Sequence, residues 1–148
     1  MTDLIKFKHK TTVTVRFNEV DGLGVCNNSV YLVYFDEARF KYIKEAGLMP
    51  KDGWFSDGRL YFVVRNEINY LDHARFDDEL TIYTRIAQIK NSSFIFDHVV
   101  ENAKTKKIIA DGLGIVVHVD PKTRRSAPLP EMYYDLIRNY EKDVEIIR

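Results

Sequence analysis

The sequence predicts an α+β protein in which a curved antiparallel sheet wraps around one long central helix. A single strand with alternating polarity precedes a long, largely apolar segment that contains neither Pro nor Gly, at residues 29–46. Four β-rich runs follow, and short polar links join the last three of them. This order of elements is typical of an α+β domain. At 148 residues the chain has the usual size of one domain, so we expect a single domain over residues 1–148.

The first strand is predicted at residues 10–17, where Val13, Val15 and Phe17 alternate with polar residues. A polar loop follows at residues 19–28. The long helix should then begin with Asn28 or Ser29 as its N-cap and stop at Gly47.

The β-rich runs occupy residues 60–71, 79–89, 93–102 and 107–119. The links at residues 90–92 and 103–106 are short enough for antiparallel neighbours. A terminal helix is predicted at residues 130–141, with Pro130 in its first turn. One helix cannot cover the outer face and the edges of such a sheet, so we expect an oligomer, either a homodimer or a homotetramer.

Composition excludes several classes of partner and site. Lys plus Arg and Asp plus Glu number 22 each, so no overall field attracts nucleic acid or an anionic membrane. Cys26 is the only cysteine, which excludes an internal disulfide and a thiolate zinc cluster. The four histidines match no metal spacing. With neither a signal peptide nor a membrane span in the pattern, we expect a cytoplasmic protein.

The stretch Arg16-Phe-Asn-Glu-Val-Asp21-Gly-Leu-Gly24-Val-Cys-Asn-Asn28-Ser-Val-Tyr31 resembles the signature of hotdog-fold acyl-CoA thioesterases of the 4-hydroxybenzoyl-CoA thioesterase type. The resemblance continues through residues 63–70, 75–80, 92–94 and 128–130, so it covers nearly the whole chain.

This resemblance implies a dimer whose two sheets join into one, with active sites at the subunit boundary. It implies thioester hydrolysis without metal or organic cofactor, with coenzyme A as part of the substrate. Asp21 then acts as nucleophile or as general base, and the backbone N–H of Asn28 as oxyanion donor. The resemblance further assigns substrate contacts to residues in two places. They are Gly24, Asn27 and Tyr31, in or just after the loop, and Lys90, Ser92 and Ser93, in the hairpin between the second and third β-rich runs.

The residues themselves fit this chemistry. A carboxylate can deliver or activate an oxygen nucleophile, and the N–H groups at a helix start can stabilise an oxyanion. Gly22 and Gly24 would let backbone amides approach a substrate closely. From the residues alone, however, an ordinary helix-capping turn with a solvated Asp21 is the favoured explanation of the loop, and the resemblance reverses that preference. Relatives often carry His at the position of Val25 or of Asn28, and this chain has none there.

Glu67 is a second candidate carboxylate, expected on the strand face of Tyr61, Val63 and Arg65. A surface salt bridge to Arg65 or Arg85 is the alternative interpretation. Cys26 is a weak candidate nucleophile because no His accompanies it locally.

Three further groups complete the expected site. His98 and His118 should lie on the sheet surface or at an interface. Arg124 and Arg125 are alternatives to Lys90 for contacting phosphates. Tyr31, Tyr34 and Phe35 are expected to shape an acyl pocket beside the helix.

The leading hypothesis is acyl-CoA thioester hydrolysis. An acyl-carrier-protein thioesterase is an alternative, because it shares the Asn-Asn-x-x-Tyr pattern of residues 27–31. A non-catalytic acyl-CoA-binding module is a third hypothesis, since fold alone does not fix function. The acyl group is left open by the sequence.

Overall fold

The computed structural model describes residues 3–53, 56 and 58–148. Within these residues a sheet packs against one long helix, and a shorter helix lies near the C-terminus. The elements in chain order are a 3-10 turn (Leu4–Lys6), β1 (His9–Thr14), a second 3-10 turn (Phe17–Glu19), α1 (Val30–Glu45), β2 (Leu60–Tyr70), β3 (Glu79–Ile89), β4 (Ser93–Asn102), β5 (Ile108–Val119), α2 (Glu131–Tyr140) and β6 (Glu145–Ile146). None of the described helices is long and apolar enough to cross a membrane.

The sheet has the strand order β1-β3-β4-β5-β2, and the short β6 pairs in parallel with β3. The antiparallel succession of β3, β4 and β5 confirms the prediction from their short links. β1 and β2, which flank α1 in the chain, lie at opposite edges of this path. The connection through α1 therefore joins the two edges of this path.

The first strand is shorter than predicted. β1 ends at Thr14, and the predicted residue Phe17 begins a 3-10 turn instead of sharing the buried face of Val13 and Val15. The cause is Glu19, whose carboxylate accepts the Arg16 N–H at 2.9 Å and whose own N–H donates to the Arg16 carbonyl at 2.9 Å. These two bonds close the turn and leave Phe17 77% exposed.

α1 is buried on more than one stripe, as its composition predicts. Its N-terminal half joins one apolar cluster with β1 and β3, and its C-terminal half joins a second cluster with α2. Gly47, at φ +81°, ends the helix in the left-handed conformation. The fully or nearly fully buried side chains of α1 are Tyr31, Tyr34, Phe35, Ala38, Arg39 and Tyr42.

A buried arginine separates the two clusters. Arg39, only 5% exposed, donates to Asp36 at 2.6 Å and to Asn66 of β2 at 3.4 Å. A third contact, of 3.4 Å, joins the guanidinium to His98 Nε2 on β4. Because burying an unpaired charge is costly, this set of partners is what keeps the guanidinium inside the fold.

The position of His98 corrects the expectation of a sheet-surface residue. Its ring is 1% exposed and stacks on Phe35 at 4.3 Å. Since a guanidinium can only donate, Nε2 must accept, and Nδ1 carries the proton shared with Thr84 Oγ1 at 3.0 Å. Burial and the neighbouring Arg39 hold the pKa of His98 well below its usual range, so the imidazole stays neutral.

Two glycines of β5 allow α1 to approach the sheet closely. A Cβ at Gly112 would overlap the Glu67 carbonyl oxygen and press against Phe35, and one at Gly114 would overlap the Arg39 guanidinium. Both positions therefore need the absence of a side chain for packing, whatever their backbone angles.

Gly112→Ala should lower the free energy of unfolding by about 1–3 kcal/mol, because the added methyl group would overlap the Glu67 carbonyl oxygen of β2 and overpack the contact with Phe35 of α1. Urea unfolding followed by circular dichroism measures the change. Gly22→Ala is the control, since a Cβ there meets nothing within 4 Å and the substitution should stay within about 0.5 kcal/mol. Equal stability of the two variants would contradict the close approach.

Glu141, directly after α2, fills a gap along one edge of β3. β1 pairs with β3 up to Thr84, and β6 pairs from Gln88 onward. Between them the Glu141 carboxylate accepts the Ile86 N–H at 3.2 Å and the Tyr42 hydroxyl at 2.6 Å. Burial raises the pKa of Glu141 even though both hydrogen bonds act in the opposite direction.

Glu141→Gln should change the pH dependence of stability. A carboxyl whose pKa is higher in the folded than in the unfolded state binds more protons when folded, so its stabilising contribution is present below about pH 4.5 and is lost as pH rises through the folded pKa. As pH rises above about 4.5, the wild type should therefore lose stability relative to the variant. Urea titrations across this range measure the difference, with exposed Glu79→Gln as control; parallel curves for wild type and Glu141→Gln would disprove the effect.

Candidate active site

The loop between the second 3-10 turn and α1 is a tight hairpin. Asn27 N–H donates to the Glu19 carbonyl at 2.8 Å, and Asp21 N–H donates to the Val25 carbonyl at 2.9 Å. A turn over residues 21–24 closes the tip, where Gly24 N–H reaches the Asp21 carbonyl at 3.0 Å. Gly24 has φ +79°, which explains why glycine is suited to this position.

Asp21 lies at the tip of this hairpin with one carboxylate oxygen held. Oδ1 accepts the Leu23 N–H at 2.8 Å, which fixes the side chain relative to the turn. Within the described residues, Oδ2 accepts no hydrogen bond. The carboxylate is half-buried, so one oxygen is oriented by the backbone while the other is available to a substrate or to water.

The N-cap of α1 is Ser29, one of the two predicted residues, and the side-chain acceptor at this helix start comes from Asn27. The Asn27 side-chain oxygen accepts the Ser29 N–H at 3.0 Å and the Ser29 hydroxyl at 2.8 Å, and its carbonyl accepts the Val30 N–H at 3.0 Å. Among the described residues the Asn28 N–H donates to no group. It is therefore an unpaired donor at the positive end of α1.

Tyr70, the last residue of β2, also contacts the start of α1. Its hydroxyl donates to the Asn28 carbonyl at 2.8 Å, and its ring packs edge-on against Tyr31 at 5.6 Å. Tyr31 itself is 2% exposed, and its hydroxyl accepts the Ala74 N–H at 3.4 Å. Sequence analysis does not single out Tyr70, because a contact between residues 42 apart leaves no local pattern.

Cys26 lies under this loop and is 1% exposed. Burial raises the pKa of its thiol, so the protonated form is favoured. Because the thiolate is the reactive species, this environment does not favour Cys26 as a nucleophile.

Glu67 does not share a face with Tyr61 and Val63. A β-bulge at Val64 shifts the register of β2 against β5, so that Arg65 and Glu67 point away from α1. Glu67 forms a salt bridge with Arg65 there, which is the alternative interpretation of this residue. The alternation expected for β2 was wrong because the sequence does not mark the bulge.

An apolar cavity of about 140 Å³ lies beside the C-terminal half of α1. Tyr31, Tyr34 and Phe35, expected to shape an acyl pocket, lie instead in the apolar cluster around the N-terminal half of the helix. The cavity wall comes from α1, β2, β4, β5, α2 and the loop after α1, through Asp36, Arg39, Phe40, Ile43, Leu48, Pro50, Arg59, Tyr61, Val63, Phe94, Phe96, Val116 and Tyr133.

The hairpin between β3 and β4 lies at the cavity end of the sheet. Lys90 N–H donates to the Ser93 carbonyl at 2.8 Å, and the Ser92 carbonyl accepts the His118 N–H at 2.8 Å. Asp21 is near the other end of β3, about 30 Å away at 3.3 Å per residue. One chain therefore does not bring Asp21 together with Lys90, Ser92 and Ser93.

Three other predicted groups also lie at the cavity end. Arg124, in the turn after β5, has its guanidinium 5.5 Å from the centre of the Phe62 ring, and Arg125 follows it in the same exposed turn. His118 is buried rather than at the surface, with Nδ1 within 3.1 Å of the Ala127 and Pro128 carbonyls. In residues 3–53, 56 and 58–148, no three His, Cys, Asp or Glu side chains come together as a metal site.

Comparison with known proteins places the fold and the family. The described architecture is that of the hotdog-fold thioesterases: it superposes on a Thermus thermophilus thioesterase solved with coenzyme A and Zn at a TM-score of 0.79, with 33% identity over 93% of this chain and 97% of that one. The model of the thioesterase-like superfamily matches residues 15–137. The chain belongs to this superfamily.

Two relatives indicate the range of substrates in the family. The long-chain acyl-CoA thioesterase FadM of Escherichia coli is 30% identical over 121 residues, covering 81% of this chain and 89% of FadM. The chloroplastic acyl-acyl carrier protein thioesterase ATL3 of Arabidopsis thaliana is 27% identical over 78% of this chain and 60% of its own length.

Asn27→Ala should destabilise the protein by about 1 kcal/mol, because Ser29 loses its capping acceptor at the start of α1. Asn28→Ala is the matched control, since its side chain accepts or donates no hydrogen bond within the described residues. Thermal and urea unfolding of the two variants measure the difference. A larger loss for Asn28→Ala than for Asn27→Ala would contradict the assignment of the cap.

Proposed function

We propose that the protein hydrolyses acyl-CoA thioesters, as a thioesterase of the 4-hydroxybenzoyl-CoA type, with Asp21 as the catalytic carboxylate. The observation that carries the proposal is that, within the described residues, one short loop holds a carboxylate with an oxygen that accepts no hydrogen bond and a helix-start N–H that donates none. Membership of the thioesterase-like superfamily supports it.

Two routes for Asp21 fit this geometry. As nucleophile, Oδ2 attacks the thioester carbon, the C–S bond breaks, coenzyme A leaves as a thiolate, and water then hydrolyses the acyl anhydride. As general base, Asp21 takes a proton from the water that attacks the same carbon, and the thiolate leaves from the tetrahedral intermediate. In both routes the Asn28 N–H and the positive end of α1 stabilise the oxyanion. Neither route needs a metal or an organic cofactor.

The complete site is proposed to form between two copies of the chain. In the described part of the sheet, β2 pairs on one side only, with β5, and its exposed apolar residues include Phe62, Val64 and Tyr70. Antiparallel pairing of the whole of β2 with its copy sets the two-fold axis near Arg65 and brings Leu60 beside the partner subunit's Tyr70.

The proposed dimer explains why the Asp21 hairpin and the cavity lie far apart within one chain. Tyr70 lies at the Asp21 hairpin, whereas Tyr61 lines the cavity at the other end of β2. The pairing therefore brings the hairpin of one subunit to the cavity of the other. The basic residues of the cavity end, Lys90, Arg124 and Arg125, then face the phosphates of coenzyme A, beside Ser92 and Ser93.

Asp21→Asn should lower kcat for acyl-CoA hydrolysis by at least about 10²-fold, because the amide can neither attack nor accept a proton. Asn keeps an oxygen for the Leu23 N–H, so the turn is preserved. A spectrophotometric thiol assay across aliphatic and aromatic acyl-CoAs measures turnover. The control is Asp135→Asn on the exposed face of α2, which should leave kcat within about twofold.

Undiminished turnover of Asp21→Asn would contradict the assignment of Asp21 as the catalytic carboxylate. In that case Glu67→Gln tests the second carboxylate, whose salt bridge with Arg65 and position on the outer face of the sheet otherwise argue for a structural role.

An acyl-carrier-protein substrate is the second candidate. The basic hairpin end suits an acidic protein as well as phosphates, and ATL3 provides a precedent among relatives. Comparing kcat/KM for one acyl group carried by coenzyme A and by carrier protein decides between them.

A further inference from the structure

The cavity beside α1 has the dimensions of one small apolar group. Its volume of about 140 Å³ is close to the roughly 150 Å³ of an apolar protein cavity known to hold one benzene molecule. Most of its wall is apolar, supplied by Ile43, Leu48, Phe94, Phe96 and Val116.

The polar side chains in the cavity wall bond to one another or to neighbouring groups; they are Asp36, Arg39, Arg59, Tyr61 and Tyr133. Arg39 is occupied by Asp36, Asn66 and His98. The Tyr61 hydroxyl donates to the Tyr133 hydroxyl at 2.9 Å, and Tyr133 donates to the Leu48 carbonyl at 3.3 Å. A polar group entering the cavity would lose its hydration and would have to displace these bonds.

Arg39 bounds the cavity on the side of the N-terminal half of α1. Beyond it the guanidinium contacts Asn66 and His98, and His98 stacks on Phe35 of the N-terminal cluster. An acyl chain that extends in this direction therefore meets the buried arginine.

We propose that this cavity is the acyl pocket and that it selects an apolar acyl group of one ring or about six carbons, rather than a long chain. The proposal rests on the function proposed above. Ile43, an apolar residue of α1 in the cavity wall, is proposed as a specificity-determining residue because the size of its side chain changes the space left for the acyl group.

The first test is kcat/KM for acetyl-, hexanoyl-, benzoyl-, 4-hydroxybenzoyl- and palmitoyl-CoA. Hexanoyl- and benzoyl-CoA should be the best substrates, with palmitoyl-CoA at least about 10-fold lower and 4-hydroxybenzoyl-CoA about 10- to 100-fold below benzoyl-CoA. Palmitoyl-CoA turned over as well as hexanoyl-CoA would overturn the proposal.

The second test changes the size of the pocket. Ile43→Phe should reduce kcat/KM for hexanoyl- and benzoyl-CoA by at least about 10-fold while acetyl-CoA stays within about twofold, and Ile43→Ala should move the optimum to longer chains. Val33→Phe and Val33→Ala are the matched controls, because Val33 is 59% exposed on α1 and outside the cavity wall. If neither Ile43 variant changes which acyl group gives the highest kcat/KM, the pocket proposal is also overturned.

Calorimetric binding of the same acyl-CoAs to Asp21→Asn separates this proposal from the catalytic one. If Asp21→Asn still hydrolyses its substrates but affinity and turnover follow acyl size as stated, the assignment of Asp21 fails and the pocket stands. If Asp21→Asn is inactive and binds palmitoyl-CoA as tightly as hexanoyl-CoA, the pocket fails and the catalytic carboxylate stands.

Discussion

The close contact between α1 and β5 is the constraint on which the rest of this structure depends. Gly112 and Gly114 bring the helix near enough for Arg39 to reach Asn66 and His98 across the sheet. That polar bridge divides the interior into two apolar clusters. One cluster supports the Asp21 hairpin, and the other contains the cavity, so a single packing contact separates the Asp21 hairpin from the apolar cavity.

This separation is the reason for the role proposed above for the exposed edge of β2. Within one chain Asp21 and the cavity lie at opposite ends of β2, and antiparallel pairing across a two-fold axis is the simplest operation that exchanges those ends. The proposed dimer would serve the chemistry itself and would also cover Phe62, Val64 and Tyr70.

Local patterns were enough to predict much of the fold. Alternation and turn residues gave β3, β4, β5 and α2 to within about two residues, and Gly47 marked the end of α1. The Asp21 hairpin was also predictable, because its hydrogen bonds join residues that are close in the chain.

What local patterns could not predict depends on contacts distant in sequence. The bulge at Val64 turns Arg65 and Glu67 to the opposite face of the sheet, and no residue type in the sequence indicates the bulge. His98 is polar in sequence but neutral and buried in the fold, because Arg39 arrives from α1, 59 residues earlier. The cavity could not be located either, since its wall combines six separate parts of the chain.

The Glu141 carboxylate has a consequence for how far assembly can proceed. With β1, Glu141 and β6 occupying one edge of β3, the free edges on that side belong to the six-residue β1, which exposes Lys10, Thr12 and Thr14, and to the two-residue β6. Short, charged edges resist further strand addition. The pairing proposed for β2 would therefore close after two copies, because the opposite side of the sheet offers only short strands from which an open-ended fibre could grow.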